Sequence, residues 1–202
     1  MDYGMGNIHS MIKALELYHN DVIFTADPDE LRKADALVLP GDGAFAAAMD
    51  HLAGEKGEIL KEHVNAGRPL LGVCIGFQAL FEDSDEVPRD SSEKTIKGLG
   101  LIPGKVRRFR FEDPDLRVPH MGWNRLVDCK GAALDFRNEY MYFIHSYRAE
   151  ATPEEYVLAN AEYGGEHFPA FVQKDNILAA QFHPEKSHTR GLALIENWIK
   201  TI

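Results

Sequence analysis

The chain has 202 residues, 45% of them hydrophobic, and a formal net charge of −10. That length supports one globular domain, residues 1–202, with a substantial core, and the negative balance disfavours a general affinity for nucleic acid or anionic membrane. Two cysteines, Cys74 and Cys129, make no disulfide framework, and no signal peptide or bilayer-length apolar run is visible, so a reducing cytoplasm is the expected compartment.

The first predicted element is a helix over 7–19, with Ile8, Met11, Ile12 and Leu15 on one face and Asn7 as its cap. VIFT at 22–25 reads as a short strand. Asp27-Pro28-Asp29-Glu30 then opens a helix, with an acid at the cap, proline at the first helical position and Glu30 at the capping-box position. ALVLP at 36–40 reads as a strand, followed by the turn-like Gly41-Asp42-Gly43 and a helical region to about Ala66, where Gly67 and Pro69 stop it. PLLGV at 69–73 shows no polar alternation, as a strand buried on both faces of a parallel sheet requires.

Residues 83–98 are polar and read as a loop. Strands follow near 104–111, 123–127, 140–145, 155–160, 168–172 and 176–182, and a last helix carries Leu192, Ile195, Ile199 and Ile202 along one stripe. The basic cluster at 105–110 alternates with Val106 and Phe109, the pattern of a solvated strand face rather than a phosphate patch. The expected fold is therefore α/β: a mostly parallel central sheet flanked by helices, with an additional antiparallel strand region. The nine histidines show no metal-ligand spacing, so neither a metal nor a cofactor is expected. Cys129 has no chemical surroundings of note and reads as an ordinary thiol.

Cys74 sits where the 69–73 strand gives way to a helix, between Gly72 and Gly76. A strand turning sharply into a helix presents its corner side chain above the sheet, as in the nucleophile elbow G-x-S-x-G. The helix N-terminus there favours a thiolate, and the Ile75 N–H is placed to donate to an oxyanion. Taken alone, Gly-x-Cys-x-Gly also fits plain tight packing of helix on strand. A cysteine nucleophile needs a base and a group to hold it. His183 and Glu185, separated by Pro184, supply both if the proline keeps His183 extended and the two side chains leave on one side. The competing reading is a surface His-Pro turn. His145 also ends an apolar strand and is able to line the same cleft.

Gly72-Val73-Cys74-Ile75-Gly76-Phe77-Gln78 followed by His183-Pro184-Glu185 resembles the class I (triad) glutamine amidotransferases. Asp2-Tyr3-Gly4-Met5-Gly6-Asn7, Pro119-His120-Met121-Gly122-Trp123-Asn124 and Tyr142-Phe143-Ile144-His145-Ser146-Tyr147 are similar to the glutaminase subunits of imidazole glycerol phosphate synthases. The resemblance implies a Cys74–His183–Glu185 triad that hydrolyses glutamine to glutamate and ammonia. It also implies an oxyanion site at Ile75 and Gly41-Asp42-Gly43, and contacts to glutamine from Gln78, Glu86, Ser146 and Tyr147.

The implied partner is a (βα)8-barrel cyclase subunit, docked at Met121, Trp123, Asn124, Tyr142 and Lys186. That subunit receives the ammonia and makes imidazole glycerol phosphate and aminoimidazole carboxamide ribonucleotide for histidine biosynthesis. Without the resemblance, Trp123 reads as core and Lys186 as a solvated charge. Two departures from the family pattern stand out. Asp42 replaces an expected apolar residue, and a strand of about five residues that would precede Asp2 inside the sheet is missing, which points to a start upstream. Two other readings use the same residues: a free γ-glutamyl amide or peptide hydrolase, and a catalytically silent binding subunit.

Overall fold

The computed structural model describes residues 1–5 and 8–202. The cap expected at Asn7, and Gly6 beside it, lie outside the described residues; the helix itself, α1, spans Ile8–Glu16 and buries Met11, Ala14 and Leu15. Helix α2, Pro28–Lys33, begins as expected, with the Asp27 carboxylate accepting from the Asp29 and Glu30 N–H groups. Glu30 does not close the expected capping box, because the Asp27 N–H donates to Thr25 Oγ1 at 3.0 Å instead. Strand β1, Leu37–Leu39, leads to α3, Phe45–Leu52, and α4, Glu55–Asn65. The single helical region expected up to Ala66 is thus two helices, broken at Gly54, whose φ of 72° suits glycine best.

Strand β2, Leu70–Val73, is buried throughout and runs directly into α5, Ile75–Ala79. The segment read as a loop holds two short strands, β3, Asp83–Ser84, and β4, Ile96–Lys97. The remaining strands are β5, Lys105–Arg108; β6, His120–Arg125; β7, Tyr140–His145; β8, Tyr147–Glu150; β9, Val157–Tyr163; β10, Glu166–Lys174; and β11, Ile177–Ala180. Helix α6, His188–Ile199, closes the chain. Strand β6 starts three residues before the predicted span, and β8 falls outside every predicted strand, since its polar composition carries no strand period. In α6 the buried stripe is Gly191, Leu194, Ile195 and Trp198, while Ile202 lies beyond the helix and exposed.

The central sheet has the order β1-β2-β11-β10-β9, parallel through the first three strands and antiparallel through the last two. Successive side chains of β2 point to opposite faces. Leu70 joins a core with Phe45, Phe77 and Phe81, whereas Leu71 and Val73 join one with Met11, Ile195 and Trp198 from the flanking helices. This two-sided burial is why PLLGV lacks polar alternation. A third core gathers Phe143, Phe168, Phe171 and Phe182 beneath the antiparallel region. Each buried phenylalanine contributes about 2 kcal/mol. A smaller sheet, β4-β3-β5-β8, and the β6-β7 pair extend from this body. Val106 on β5 and Phe109 just past it are buried while Lys105, Arg108 and Arg110 are exposed, as a solvated basic face requires; Arg107 is the exception, half-buried and paired with Asp83 at 2.6 Å.

The strand expected at 22–25 does not form: Ile23 and Phe24 are exposed, and a cavity of about 560 Å³ separates this extended segment from β1. Strand propensity is realised only against a pairing partner, and here Thr25 O accepts only from the Asp2 N–H, at 2.7 Å. The Met1 ammonium sits by the free edge of β1 and donates to Val38 O at 3.0 Å; burial lowers its pKa to about 6.

The end of β1 and the β2–α5 corner meet backbone to backbone. A Cβ on Gly76 would stand 2.0 Å from Leu39 O, and one on Gly41 would stand 2.0 Å from the Ile75 Cγ2 and 2.9 Å from the Ile75 N. Gly100, by contrast, has open space and only a φ of 65° against it. Urea denaturation should therefore show Gly76→Ala losing about 3 kcal/mol or more through overpacking, against about 1 kcal/mol for Gly100→Ala. Equal losses would contradict the packing described.

Candidate active site

Cys74 occupies the corner between β2 and α5 with φ 54° and ψ −107°, a conformation that costs a non-glycine residue on the order of 1–3 kcal/mol. The corner is held by Cys74 N–H donating to Ala180 O at 2.8 Å and by Cys74 O accepting from Gln78 N–H at 3.0 Å. The flanking glycines do allow close packing of helix on strand, as one of the two readings has it. That packing forces the sulfur to the bend.

His183 follows β11 in extended conformation, φ −98° and ψ 96°. Pro184 does not forbid all helix, as the sequence suggested. It opens a single 3-10 turn, Pro184–Lys186, which swings Glu185 back against the imidazole. Glu185 Oε1 lies 2.8 Å from His183 Nδ1, and both side chains are nearly inaccessible, at 3% and 4%. A surface His-Pro turn is therefore excluded. With Nδ1 committed to the carboxylate, His183 Nε2 makes no hydrogen bond of good geometry among the described residues, although Cys74 is close enough to raise its pKa. Burial is the largest influence on this imidazole and disfavours its charge, but the neighbouring Cys74 sulfur and the Glu185 carboxylate together outweigh it, and its pKa is pushed up to about 10. A base held by a carboxylate next to a cysteine is the arrangement that nucleophilic thiol chemistry requires.

The remaining expected site residues converge unevenly on this centre. Gly41 packs on the Ile75 N–H, while Asp42 and Gly43 are exposed, and Gly43 has φ 125°. The Met5 Cε would lie 2.5 Å from a Cβ at Gly43, and the Tyr3 hydroxyl donates to Pro40 O, so the N-terminal segment braces this loop. Glu86 accepts from the Phe45 N–H at 2.9 Å, just past the loop; burial raises its pKa, and that hydrogen bond opposes the rise. Gln78 is buried and faces inward. Its amide donates to Tyr147 O at 3.0 Å and to Gln181 Oε1 at 2.9 Å. Ser146 lies at the turn between β7 and β8, its carbonyl accepting from Phe109 N–H at 3.0 Å.

The sequence reading missed several residues. Gln181 is fully buried and its Nε2 lies 3.9 Å from Cys74 Sγ; a lone amide inside the apolar run AAQF was the available signal. Ser187 ties the base to β7. Its hydroxyl accepts from Tyr142 N–H at 2.9 Å and donates to His183 O at 2.6 Å, while His183 N–H donates to Tyr142 O at 2.9 Å. Nothing in the sequence marks that serine.

The residues expected to dock a partner divide: Met121 and Trp123 point outward with Tyr142 across the β6–β7 pair, whereas Asn124 lies on the opposite face of β6 with His120, because successive strand side chains alternate. Met121 and Trp123 are 64% and 44% exposed, so Trp123 is not core. Trp123 pairs with Tyr142 across β6 and β7 and stacks on His188 with centroids 4.7 Å apart. Asn124 and Lys186 are half-buried, Asn124 donating to Glu162 O at 2.7 Å and Lys186 ending the turn that carries Glu185. Among the described residues, no cluster of three or more His, Cys, Asp or Glu is arranged to hold a metal, and no helix is long and apolar enough to cross a membrane.

The class-I glutamine amidotransferase family profile matches residues 1–202. Imidazole glycerol phosphate synthase subunit HisH of Bacillus subtilis is 44% identical over 206 residues, covering 99% of this chain and 94% of that protein. The HisH subunit of Methanocaldococcus jannaschii is 43% identical over 205 residues, covering 100% and 98%. Among solved structures, a glutamine amidotransferase aligns with TM-score 0.68 at 19% identity, covering 98% of this chain and 96% of that one. A putative GMP synthase component from Thermoplasma acidophilum aligns with TM-score 0.69 at 22% identity, covering 99% and 90%. These two likenesses carry the fold; the full-length sequence matches carry more. The chain belongs to the class-I glutamine amidotransferase family and, within it, to the glutaminase subunits of imidazole glycerol phosphate synthase.

Proposed function

We propose that this chain works as a single glutaminase domain in which Cys74, His183 and Glu185 cleave glutamine, and that the ammonia passes to a docked (βα)8 cyclase subunit of imidazole glycerol phosphate synthase in histidine biosynthesis. The observation that carries the triad is the buried His183, bound to Glu185 through Nδ1 and close to the cysteine at the strained corner.

The Cys74 thiolate attacks the side-chain amide carbon, and the carbonyl oxygen becomes an oxyanion. The Ile75 N–H and a peptide N–H of Gly41-Asp42-Gly43 stabilise that charge as donors. His183 gives its proton to the leaving nitrogen, releasing ammonia and a glutamyl thioester. It then takes a proton from water, whose oxygen attacks the thioester to release glutamate and restore the thiolate. Glu86 holds the substrate's ammonium, and the Ser146-Tyr147 backbone its carboxylate. Gln78 completes the pocket while bracing Tyr147 O. Glycines on both sides of Asp42 let its peptide turn between N–H inward and C=O inward, so docking is able to switch the oxyanion site on.

The exposed Met121 and Trp123, with half-buried Tyr142 against Trp123, favour partner docking over a free hydrolase, since large apolar side chains rimmed by polar ones mark interfaces. Strand β7 then connects that surface to the base through Tyr142 and His183. Lys186, next to Glu185, lies on the same link.

A thiol-reactive glutamine analogue should label Cys74 alone, read by mass spectrometry, with Cys129 unmodified; labelling of neither cysteine counts against the triad. Trp123→Ala should weaken the complex with the cyclase by about tenfold or more while barely moving the melting temperature of the free chain, given its exposure. The imidazolium of His183 has a raised pKa, so its stabilisation is complete below about pH 6.5 and lost as pH rises toward about 10. Glu185→Gln removes a carboxylate that helps raise that pKa. The His183 titration followed by NMR, and the alkaline loss of stability, should therefore both move to lower pH.

A further inference from the structure

Outside the triad, two buried histidines lie in contact. His120 on β6 and His145 at the end of β7 have Nδ1 and Nε2, respectively, 2.9 Å apart, at 4% and 5% exposure. His145 Nδ1 lies 2.7 Å from Tyr147 O, and Asn124 Nδ2 lies 3.2 Å from His120 Nε2. We propose that these residues form a one-way hydrogen-bond relay, from Asn124 through His120 and His145 to the Tyr147 carbonyl, that positions Gln78 and Gln181 beside Cys74. His120 and His145 are then positioning residues for the glutamine cleavage proposed above, on which this role rests.

The direction follows from backbone groups at the two ends. A carbonyl only accepts, so His145 carries its proton on Nδ1 to meet Tyr147 O. In a neutral ring Nε2 is then an acceptor, which requires a proton on His120 Nδ1. His120 Nε2 in turn accepts, which requires an Asn124 N–H. The Asn124 amide has no freedom to turn over. Its Nδ2 also donates to Glu162 O at 2.7 Å, and its Oδ1 accepts from the Arg125 N–H at 2.8 Å. Reversing the chain would set acceptor against acceptor at both Glu162 O and Tyr147 O, an arrangement costly in a buried site. Burial also lowers both imidazole pKa values, to about 4 and about 3, which keeps the rings neutral.

At its far end the relay meets the nucleophile's support. Tyr147 O accepts from both His145 Nδ1 and Gln78 Nε2; Gln78 Nε2 also donates to Gln181 Oε1, and Gln181 Nε2 reaches to 3.9 Å from Cys74 Sγ. The Tyr147 backbone is the same group assigned to the substrate carboxylate. A displaced carbonyl there shifts both the substrate and the sulfur's neighbour, and misplacement by about 1 Å is able to cost about 100-fold in rate.

Two variants separate this role from packing. His120 is stacked between Phe143 and Tyr163, with centroids 5.1 and 4.2 Å away. His120→Phe preserves the stacking and removes the relay, whereas His120→Gln loses stacking and keeps a donor and an acceptor. In the complex with the cyclase, glutaminase kcat/KM should fall about 10- to 100-fold in His120→Phe and recover most of that loss in His120→Gln. A packing role predicts the opposite order, and that order, or two variants within twofold of wild type, overturns the proposal. Nitrogen-15 NMR of the free wild-type chain gives a readout independent of activity. Both rings should be neutral with the proton on Nδ1, and an Nε2–H form at either overturns the relay. A wild-type complex without glutaminase would refute the proposed function, and the NMR result would then decide the relay by itself.

Discussion

The active corner depends on one steric constraint, the approach of two backbones with no side chain between them. Leu39 at the end of β1 comes so near Gly76 that no Cβ fits, and Gly41 lies equally close to Ile75. Because β1 and β2 are parallel neighbours, their carboxyl ends meet at one edge of the sheet, where open α/β sheets place ligands. Cys74 is held in its strained conformation by the strands on either side rather than by its own preference. The Gly41-Asp42-Gly43 loop follows directly from the same strand end. Sulfur and proposed oxyanion donors thus have their spacing set by a contact that tolerates almost no adjustment.

The second half of the site is positioned by different means. His183 lies past the end of β11, and what orients it is a ring of hydrogen bonds to β7 through Tyr142 and Ser187, plus the 3-10 turn that returns Glu185. Strand β7 is also paired along its whole length with β6, which carries Met121 and Trp123 outward and His120 inward. One hairpin-like pair therefore presents the exposed aromatic surface on one side and supports the base on the other. A partner that shifts β6 and β7 by a fraction of an ångström acts on the base through backbone hydrogen bonds, with no long pathway needed.

What was legible in the sequence was whatever local chemistry enforces. The two-sided apolar run 69–73, the glycines around Cys74, and the Asp27-Pro28 helix start all register in short windows, and the structure follows them. What failed depended on remote partners. VIFT has strand composition but no paired neighbour, so it stays extended and unpaired. On α6 the expected stripe holds at Ile195, with Leu192 and Ile199 packed against the core, but Ile202 is exposed and the stripe widens to Gly191 and Trp198, because Gly191 sits against Pro184 O, where a Cβ would stand at 2.0 Å. Site residues divide in the same way. Cys74, His183 and Glu185 stand in recognisable patterns, whereas Gln181, Ser187 and His120 matter only through what they meet across the fold.

The proposed function requires a Cys74–His183–Glu185 triad that responds to the surface formed by β6 and β7. Glutamate release from glutamine, measured for the chain alone and then with the cyclase plus its nucleotide substrate, tests this most directly. A low rate alone and a rise of at least tenfold in the complex are expected, within the range of coupling energies of about 1–3 kcal/mol. An unchanged rate on adding the partner would contradict the proposed function.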